Sequence, residues 1–333
     1  MRQEIGRIDV HHHVVPPGYA RFLAEQGLRP GGVAVPQWSA ERSLRLMDRN
    51  GIATSILSLS TPGAWFGHDD QARRIAREVN EYAASAVRDH PRRFGFFATL
   101  GVPDLEGSLA EAEYALDTLG ADGIVLLSNA AGRYPYEKHL DPLLAYLHER
   151  RAVVFLHPGE LPAEPAPGIP SFTADFLLDT VRAATGLVLS GAVEKYDGIR
   201  WILAHAGGFL PYVAHRVLLT MIRVEPRLSQ ARALVARKRE RERRLDVLRR
   251  FYFDVALSSS AHALPSLLSF AHPSHVLFGS DYPFAPAPAV RFMRQEYEDV
   301  ALKAGQRDAI DRTNALALFP RLAEHGIARQ GRP

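Results

Sequence analysis

Residues 94–157 read FGFFATLGVPDLEGSLAEAEYALDTLGADGIVLLSNAAGRYPYEKHLDPLLAYLHERRAVVFLH. Three short β-branched or aromatic runs, FGFFATL (94–100), GIVLLS (123–128) and AVVFLH (152–157), are separated by two segments of helical period, GSLAEAEYALDTLGA and DPLLAYLHERR. Near-continuous apolar runs mark parallel strands buried on both faces, and parallel neighbours need long crossovers of the kind these helical segments supply. The stretch is predicted to run strand, helix, strand, helix, strand.

Working outward, the alternation continues in both directions. Upstream lie IDV ahead of His11 and TSILSLS (54–60); downstream lie RWILAH (200–205), YFDVAL (252–257) and HVLFGSD (275–281). Eight such units in 333 residues predict a (β/α)8 TIM barrel. An open doubly wound sheet is the alternative, but no Gly-rich phosphate turn follows the first strand. The expected organisation is a single barrel domain over 1–333, with a loop insertion at about 158–171 and an Arg-rich helical insertion at about 223–250. The first insertion, PGELPAEPAPGIPS, would sit at the barrel mouth as a lid; the second is a candidate oligomerisation element, and a frayed tail is expected from about Glu324.

Composition narrows the chemistry. With 47% hydrophobic and 23% charged residues the chain can bury a large core, as a soluble globular enzyme does. No apolar run is long enough to span a bilayer and the start has no apolar signal region, so a cytoplasmic location is expected. Zero cysteines exclude disulfides, thiolate nucleophiles and Cys-based metal sites, leaving His, Asp and Glu to hold any metal. The net charge of +3 is local: residues 223–250 carry eleven Arg/Lys against four Asp/Glu, so the remainder is acidic. ARKRERERRL mixes both signs at helical spacing, the pattern of a solvated, ion-paired helix, and neither nucleic acid nor membrane is expected as a partner.

The strongest local signal is Asp9-Val10-His11-His12-His13 at the end of the first strand. Residues two apart on a strand point the same way, so His11 and His13 can converge while His12 faces away. His157, His205 and Asp281 also fall at the C-terminal ends of predicted strands, the end that forms the active-site face of such barrels. Each of the three has an ordinary structural alternative; their joint placement does not. Strand eight closes against strand one, bringing Asp281 to the two histidines. Three neutral imidazoles and a carboxylate suit one divalent transition metal, zinc as the first candidate and manganese as the second. His205 then stands beside the metal as a general acid, base or electrostatic stabiliser.

IDVHHH, FLHPG, ILAHAGG and LFGSDYPF, in this order and at these strand ends, resemble the second amidohydrolase family, especially its decarboxylase branch. That branch includes 2-amino-3-carboxymuconate 6-semialdehyde, 6-methylsalicylate and γ-resorcylate decarboxylases. The resemblance covers nearly the whole chain and implies a metal held by His11, His13, His157 and Asp281, with His205 the catalytic non-ligand histidine. The absence of a lysine at Leu127-Ser128-Asn129 argues against a binuclear site. By the same resemblance Arg216 would bind a substrate carboxylate in the neighbouring subunit, making the protein a homodimer or higher oligomer. A second carboxylate-reading arginine of the semialdehyde enzyme is replaced by Ser43, with Arg42 adjacent, which favours a monocarboxylate. Asn80 also matches a family position, with no role assigned.

The expected activity is metal-dependent, non-oxidative decarboxylation of a small ortho-hydroxy aromatic acid such as 6-methylsalicylate. Asp281 is expected to protonate the carboxyl-bearing carbon, with His205 stabilising charge or relaying the proton. The alternatives are a semialdehyde-type decarboxylase and a metal-dependent lactone or amide hydrolase. Trp65, Phe66 and Phe284 are candidate aromatic contacts near strand ends.

Overall fold

Strands buried on both faces must satisfy their backbone groups from neighbours on both sides, and closing the sheet on itself is how eight of them do so without an edge. The computed structural model describes residues 6–235 and 238–324; the tail expected from about Glu324 lies almost wholly outside these. Its strands are β1 (Arg7–His13), β2 (Ile52–Ser58), β3 (Phe94–Thr99), β4 (Gly123–Leu127), β5 (Val153–His157), β6 (Arg200–Leu203), β7 (Tyr252–Asp254) and β8 (Val276–Leu277), all parallel and in sequential order. The ring closes where Val10 N–H donates to the Phe278 carbonyl at 3.0 Å and His13 N–H to the Tyr282 carbonyl at 2.7 Å. This is the expected barrel.

Two packed layers follow from the strand alternation. Ile8, Val10, Ile56, Phe97, Phe155 and Leu277 fill the barrel interior, and Leu318 and Phe319 from the C-terminal helices cap its N-terminal end. A larger cluster lies between strands and helices. Helix Asp69–Asp89 shows why these segments are helical: Ala72, Ile75, Ala76, Val79, Ala83 and Ala86 recur at three- and four-residue spacing and form its buried stripe. Helix Ala40–Asn50 starts at a Ser39 side-chain cap and stops at Gly51, whose φ of 67° is left-handed.

Asn80, matched by resemblance but without a role, is a backbone clamp. Its amide donates to the Thr99 carbonyl at 2.9 Å and accepts from the Thr99 N–H at 2.8 Å, fixing the end of β3. The segment 158–171 follows β5 at the C-terminal end of the barrel, and Glu160 within it accepts the Gly31 N–H at 2.6 Å. Between β6 and β7 run helices Leu210–Arg223, Arg227–Val235 and Lys238–Arg244. Arg244 pairs with Glu225, and Arg249 with Glu242 at 2.6 Å and Asp246 at 3.0 Å, so the basic segment is laced with ion pairs.

The last three strands are shorter than the apolar runs suggest. After β6 and β8 the chain bends through left-handed residues, His205 (φ 54°), Ala206 (58°) and Asp281 (62°). Past β6 and β7 the Asp254 carboxylate takes the His205 N–H at 3.2 Å and the Ala256 N–H at 2.8 Å in place of a neighbouring strand, and past β8 the Asp281 N–H goes to the His11 carbonyl at 2.8 Å. Non-glycine residues in this region are sparsely populated elsewhere and cluster at functional sites. No helix among the described residues is long and apolar enough to cross a membrane.

Candidate metal centre

Every residue of β1 is buried, and alternation within His11–His13, reset by the register shift that follows Asp9, sorts the three histidines. His12 faces outward from the barrel, its Nδ1 3.0 Å from Asp9 Oδ2 and its Nε2 3.0 Å from Ser43 Oγ. Asp9 also accepts the backbone N–H of His11 at 3.1 Å and of Ser280 at 3.0 Å, and the Ser280 hydroxyl at 2.6 Å. One buried carboxylate thus binds the end of β1 to the segment after β8. The β1–β2 register shifts between Asp9 and His12, the kind of irregularity that re-aims side chains beside a site.

His11 and His13 point to the other side, as their spacing requires. One ligand atom each from His11, His13, His157 and Asp281 lies within 4.8 Å of all the others. His11 Nε2 is 3.1 Å from His13 Nε2, and Asp281 Oδ1 is 3.0 Å from His13 Nε2 and 3.3 Å from His11 Nε2. The outer nitrogens are all occupied: His11 Nδ1 donates to Asp254 Oδ2 at 2.9 Å, His13 Nδ1 to the Ser58 carbonyl at 3.2 Å, and His157 Nδ1 to the Pro158 carbonyl at 2.9 Å. An acceptor on each Nδ1 fixes the tautomer that leaves the Nε2 lone pair free. Three such lone pairs and a carboxylate oxygen aimed at one small volume fit a divalent cation.

The electrostatics agree with that assignment. Burial opposes the charged form of Asp281, but hydrogen bonds from His11, His13 and His205 outweigh it and hold the carboxyl well below its ordinary range. Burial also pushes His157 well below the ordinary imidazole value, helped by the neighbouring imidazoles, and lowers His13. In His11 burial is outweighed by Asp254 and Asp281, which raise it to about 10. Where no cation is bound, that shift favours the protonated form of His11.

His205 stands against this group without joining it. Its ring lies 4.8 Å from that of His11, and its Nε2 is 3.7 Å from Asp281 Oδ2, the oxygen turned away from the closest ligand contacts. Its Nδ1 is buried with no hydrogen-bond partner among the described residues. Asp281 therefore has one oxygen toward the ligands and one toward His205.

Arg216 is not brought to the cluster. It is exposed on helix Leu210–Arg223 and makes no ion pair among the described residues. Phe284 packs edge-on against His13 at 5.5 Å, whereas Phe66 packs on Phe22, away from the ligands. Trp65 borders a cavity of about 330 Å³ at the ends of β2 to β5, with Leu59, Thr99, Val102 and Leu127 among its walls. Leu127 lies opposite His157 in the ladder, which puts this cavity beside the ligand layer. Among the described residues no arginine or lysine lines it.

Asp254 is the residue the sequence reading missed. It was legible as the sole charge in the apolar run YFDVAL, where a buried acid must find donors. Asp9 and Ser280 were missed likewise, because nothing local in the sequence ties position 9 to position 280.

Comparison with known proteins places these features in context. A family model described as Amidohydrolase matches residues 8–321. The 6-methylsalicylic acid decarboxylase of Penicillium expansum is 38% identical over 326 residues, covering 96% of this chain and 97% of that one. A crystal structure of an amidohydrolase II superposes with a TM-score of 0.85 at 30% identity, covering 94% of this chain and 99% of the other. The fold is shared also by 5-carboxyvanillate decarboxylase from Novosphingobium aromaticivorans, solved with manganese, at a TM-score of 0.79 and 22% identity over 96% of this chain and 99% of that one.

Proposed function

Since the chain belongs to the amidohydrolase family and is a decarboxylase of hydroxylated aromatic acids within it, we propose that its substrate is a small ortho-hydroxy aromatic monocarboxylate of the 6-methylsalicylate kind. A divalent cation held by His11, His13, His157 and Asp281, zinc or manganese, would neutralise the substrate's carboxylate and phenolic oxygens and hold the ring in register. Zinc suits the donor set; manganese is the ion in the solved 5-carboxyvanillate decarboxylase.

The observation that carries the chemistry is the division of Asp281 between the ligands and His205. Asp281 rests ionised, so the proton it delivers must reach it during turnover, and His205 Nε2 is the adjacent carrier. The proton passes through Asp281 to the carboxyl-bearing ring carbon, breaking aromaticity. The carbon–carbon bond then breaks, its electron pair returns to the ring, and carbon dioxide leaves. Near-complete burial of both residues keeps bulk water from competing for that proton.

Two features favour one carboxylate over two. Ser43, where the semialdehyde enzyme has its arginine, is buried and occupied by His12, and the cavity beside His157 has no arginine or lysine in its wall among the described residues. Carbon dioxide release from metal-loaded protein, measured over a panel of ortho-hydroxybenzoates and one dicarboxylate, tests the assignment. Release from 6-methylsalicylate and not from the dicarboxylate is expected; the reverse order would overturn it.

The working form we propose is a dimer or larger, with Arg216 reaching the neighbouring site. In support, Arg216 shares its exposed helix face with Tyr212 (86% exposed) and Leu219 (56%), an apolar surface that a second copy would cover. Mixed oligomers of Arg216→Ala and His205→Ala chains should regain activity that neither variant has alone. No recovery in a verified mixed oligomer would count against action across the interface.

A further inference from the structure

Asp179, on helix Asp175–Leu189, is fully buried and belongs to none of the groups discussed above. Three donors fill its oxygens. Oδ1 accepts the Tyr134 hydroxyl at 2.9 Å, while Oδ2 accepts both Asn129 Nδ2 and the Gly159 N–H at 2.9 Å. Asn129 and Tyr134 come from the loop after β4, and Gly159 from the loop after β5. Asn129 ties the same loops again by donating to the Glu160 carbonyl at 2.8 Å. Gly159 sits so tightly that a Cβ there would lie 2.6 Å from the Asn129 carbonyl oxygen and 3.1 Å from its Nδ2.

The Gly159 N–H that Asp179 holds and the Pro158 carbonyl that receives the His157 Nδ1 proton belong to one planar peptide unit. Fixing the N–H fixes the direction of the carbonyl. A carboxylate on the N–H also polarises the peptide and makes its carbonyl the stronger acceptor. His11 has the direct form of this arrangement, with Asp254 on its Nδ1.

We propose that Asp179 is a positioning residue for the metal ligand His157, orienting its ring and strengthening it as a donor through the Pro158–Gly159 peptide. Asp179 touches neither cation nor substrate. Its hydrogen-bond acceptance, rather than its packing, sets how tightly His157 binds. The same bonds hold Asn129 and Glu160, which border the cavity beside His157.

The proposal rests on His157 being a ligand, so the unaltered chain is titrated first with manganese(II), followed by its electron paramagnetic resonance. A chain that binds no manganese would overturn the ligand assignment and this proposal with it. Given binding, Asp179→Ala is expected to weaken manganese affinity about tenfold, at the low end for partners of ligating histidines. Asp179→Asn is expected to restore most of it, because one amide oxygen can accept Gly159 and Asn129 while the NH₂ donates to the Tyr134 oxygen. Tyr134→Phe leaves the Gly159 bond intact and should bind manganese as the unaltered chain does. Unchanged affinity in Asp179→Ala, no recovery in Asp179→Asn, or an equal loss in Tyr134→Phe would each overturn the proposal while leaving His157 a ligand. Should Asp179→Ala fail to fold, Gly159→Ala displaces the same peptide from its other side; about tenfold weaker binding is expected and unchanged binding would refute the role.

Discussion

At the N-terminal end of the barrel Arg7 meets Glu298 at 2.9 Å and Asp311 at 3.3 Å, and Arg321 meets Asp122 at 2.7 Å. At the C-terminal end His11, His13, His157 and Asp281 meet one another. Both ends hold charge or its potential, but the first pairs each acid with an arginine while the second gathers three histidines and one acid with no arginine or lysine among them. Paired charges of this kind hold a fold together or cost it little. Ligand atoms that converge on one small volume crowd one another in an empty fold and become favourable when a cation arrives. The difference separates structural polar networks from a site, and each prediction below presses on it.

The largest effect is expected at Asp281. Asp281→Asn removes one ligand charge and the proton path together, so turnover should fall by about 10²–10⁴-fold or more with lowered metal content; steady-state rates and metal analysis on the same sample check both. Full activity would sink the mechanism. At the other end, Arg7→Met removes one partner from the half-buried Glu298 and Asp311, which keep Arg294 at 2.8 Å and the Tyr297 hydroxyl at 2.9 Å, and should cost about 1 kcal/mol of stability, read by denaturant unfolding, with metal affinity unchanged. Altered affinity would mean that the two ends are not separable in function.

Asp254→Asn sharpens the comparison from within the site. The Nδ1 of His11 loses its anionic acceptor, and metal affinity should fall about 10–100-fold while the fold survives. A smaller effect is the uptake of a proton-linked ion. His11 is raised to about 10 while His13, His157 and Asp281 are held low, so metal binding near neutral pH must displace the His11 proton. Calorimetry in buffers of different ionisation enthalpy should find about one proton released per metal, with affinity rising about tenfold per pH unit below the His11 value. Release of none, or of three, would contradict the protonation scheme.

How much of this was legible in the sequence depends on the range of the interaction. The strands and their order follow from local apolar runs, and the pair His11/His13 from the period of two along β1. His157, His205 and Asp281 could be gathered because the barrel carries every strand end to one face. What escaped were contacts that only closure creates. Asp254 reaches across to His11, Asp9 to Ser280, and Asp179 to Gly159 from its helix; each joins residues far apart in the chain, and nothing in either one's neighbourhood names the other. The ends of β6 and β8 were overrun for a related reason, since the apolar run continues through residues whose backbone has already turned out of the ladder toward the site.

The separation of roles between the four ligands and His205 is most directly tested by His205→Ala. Metal per chain and carbon dioxide release from 6-methylsalicylate are measured on the same preparation. One metal per chain retained, with release reduced by about 10²–10⁴-fold, is the predicted result. Loss of the metal would show His205 to be a ligand, and undiminished release would show that the proton reaches the ring without it.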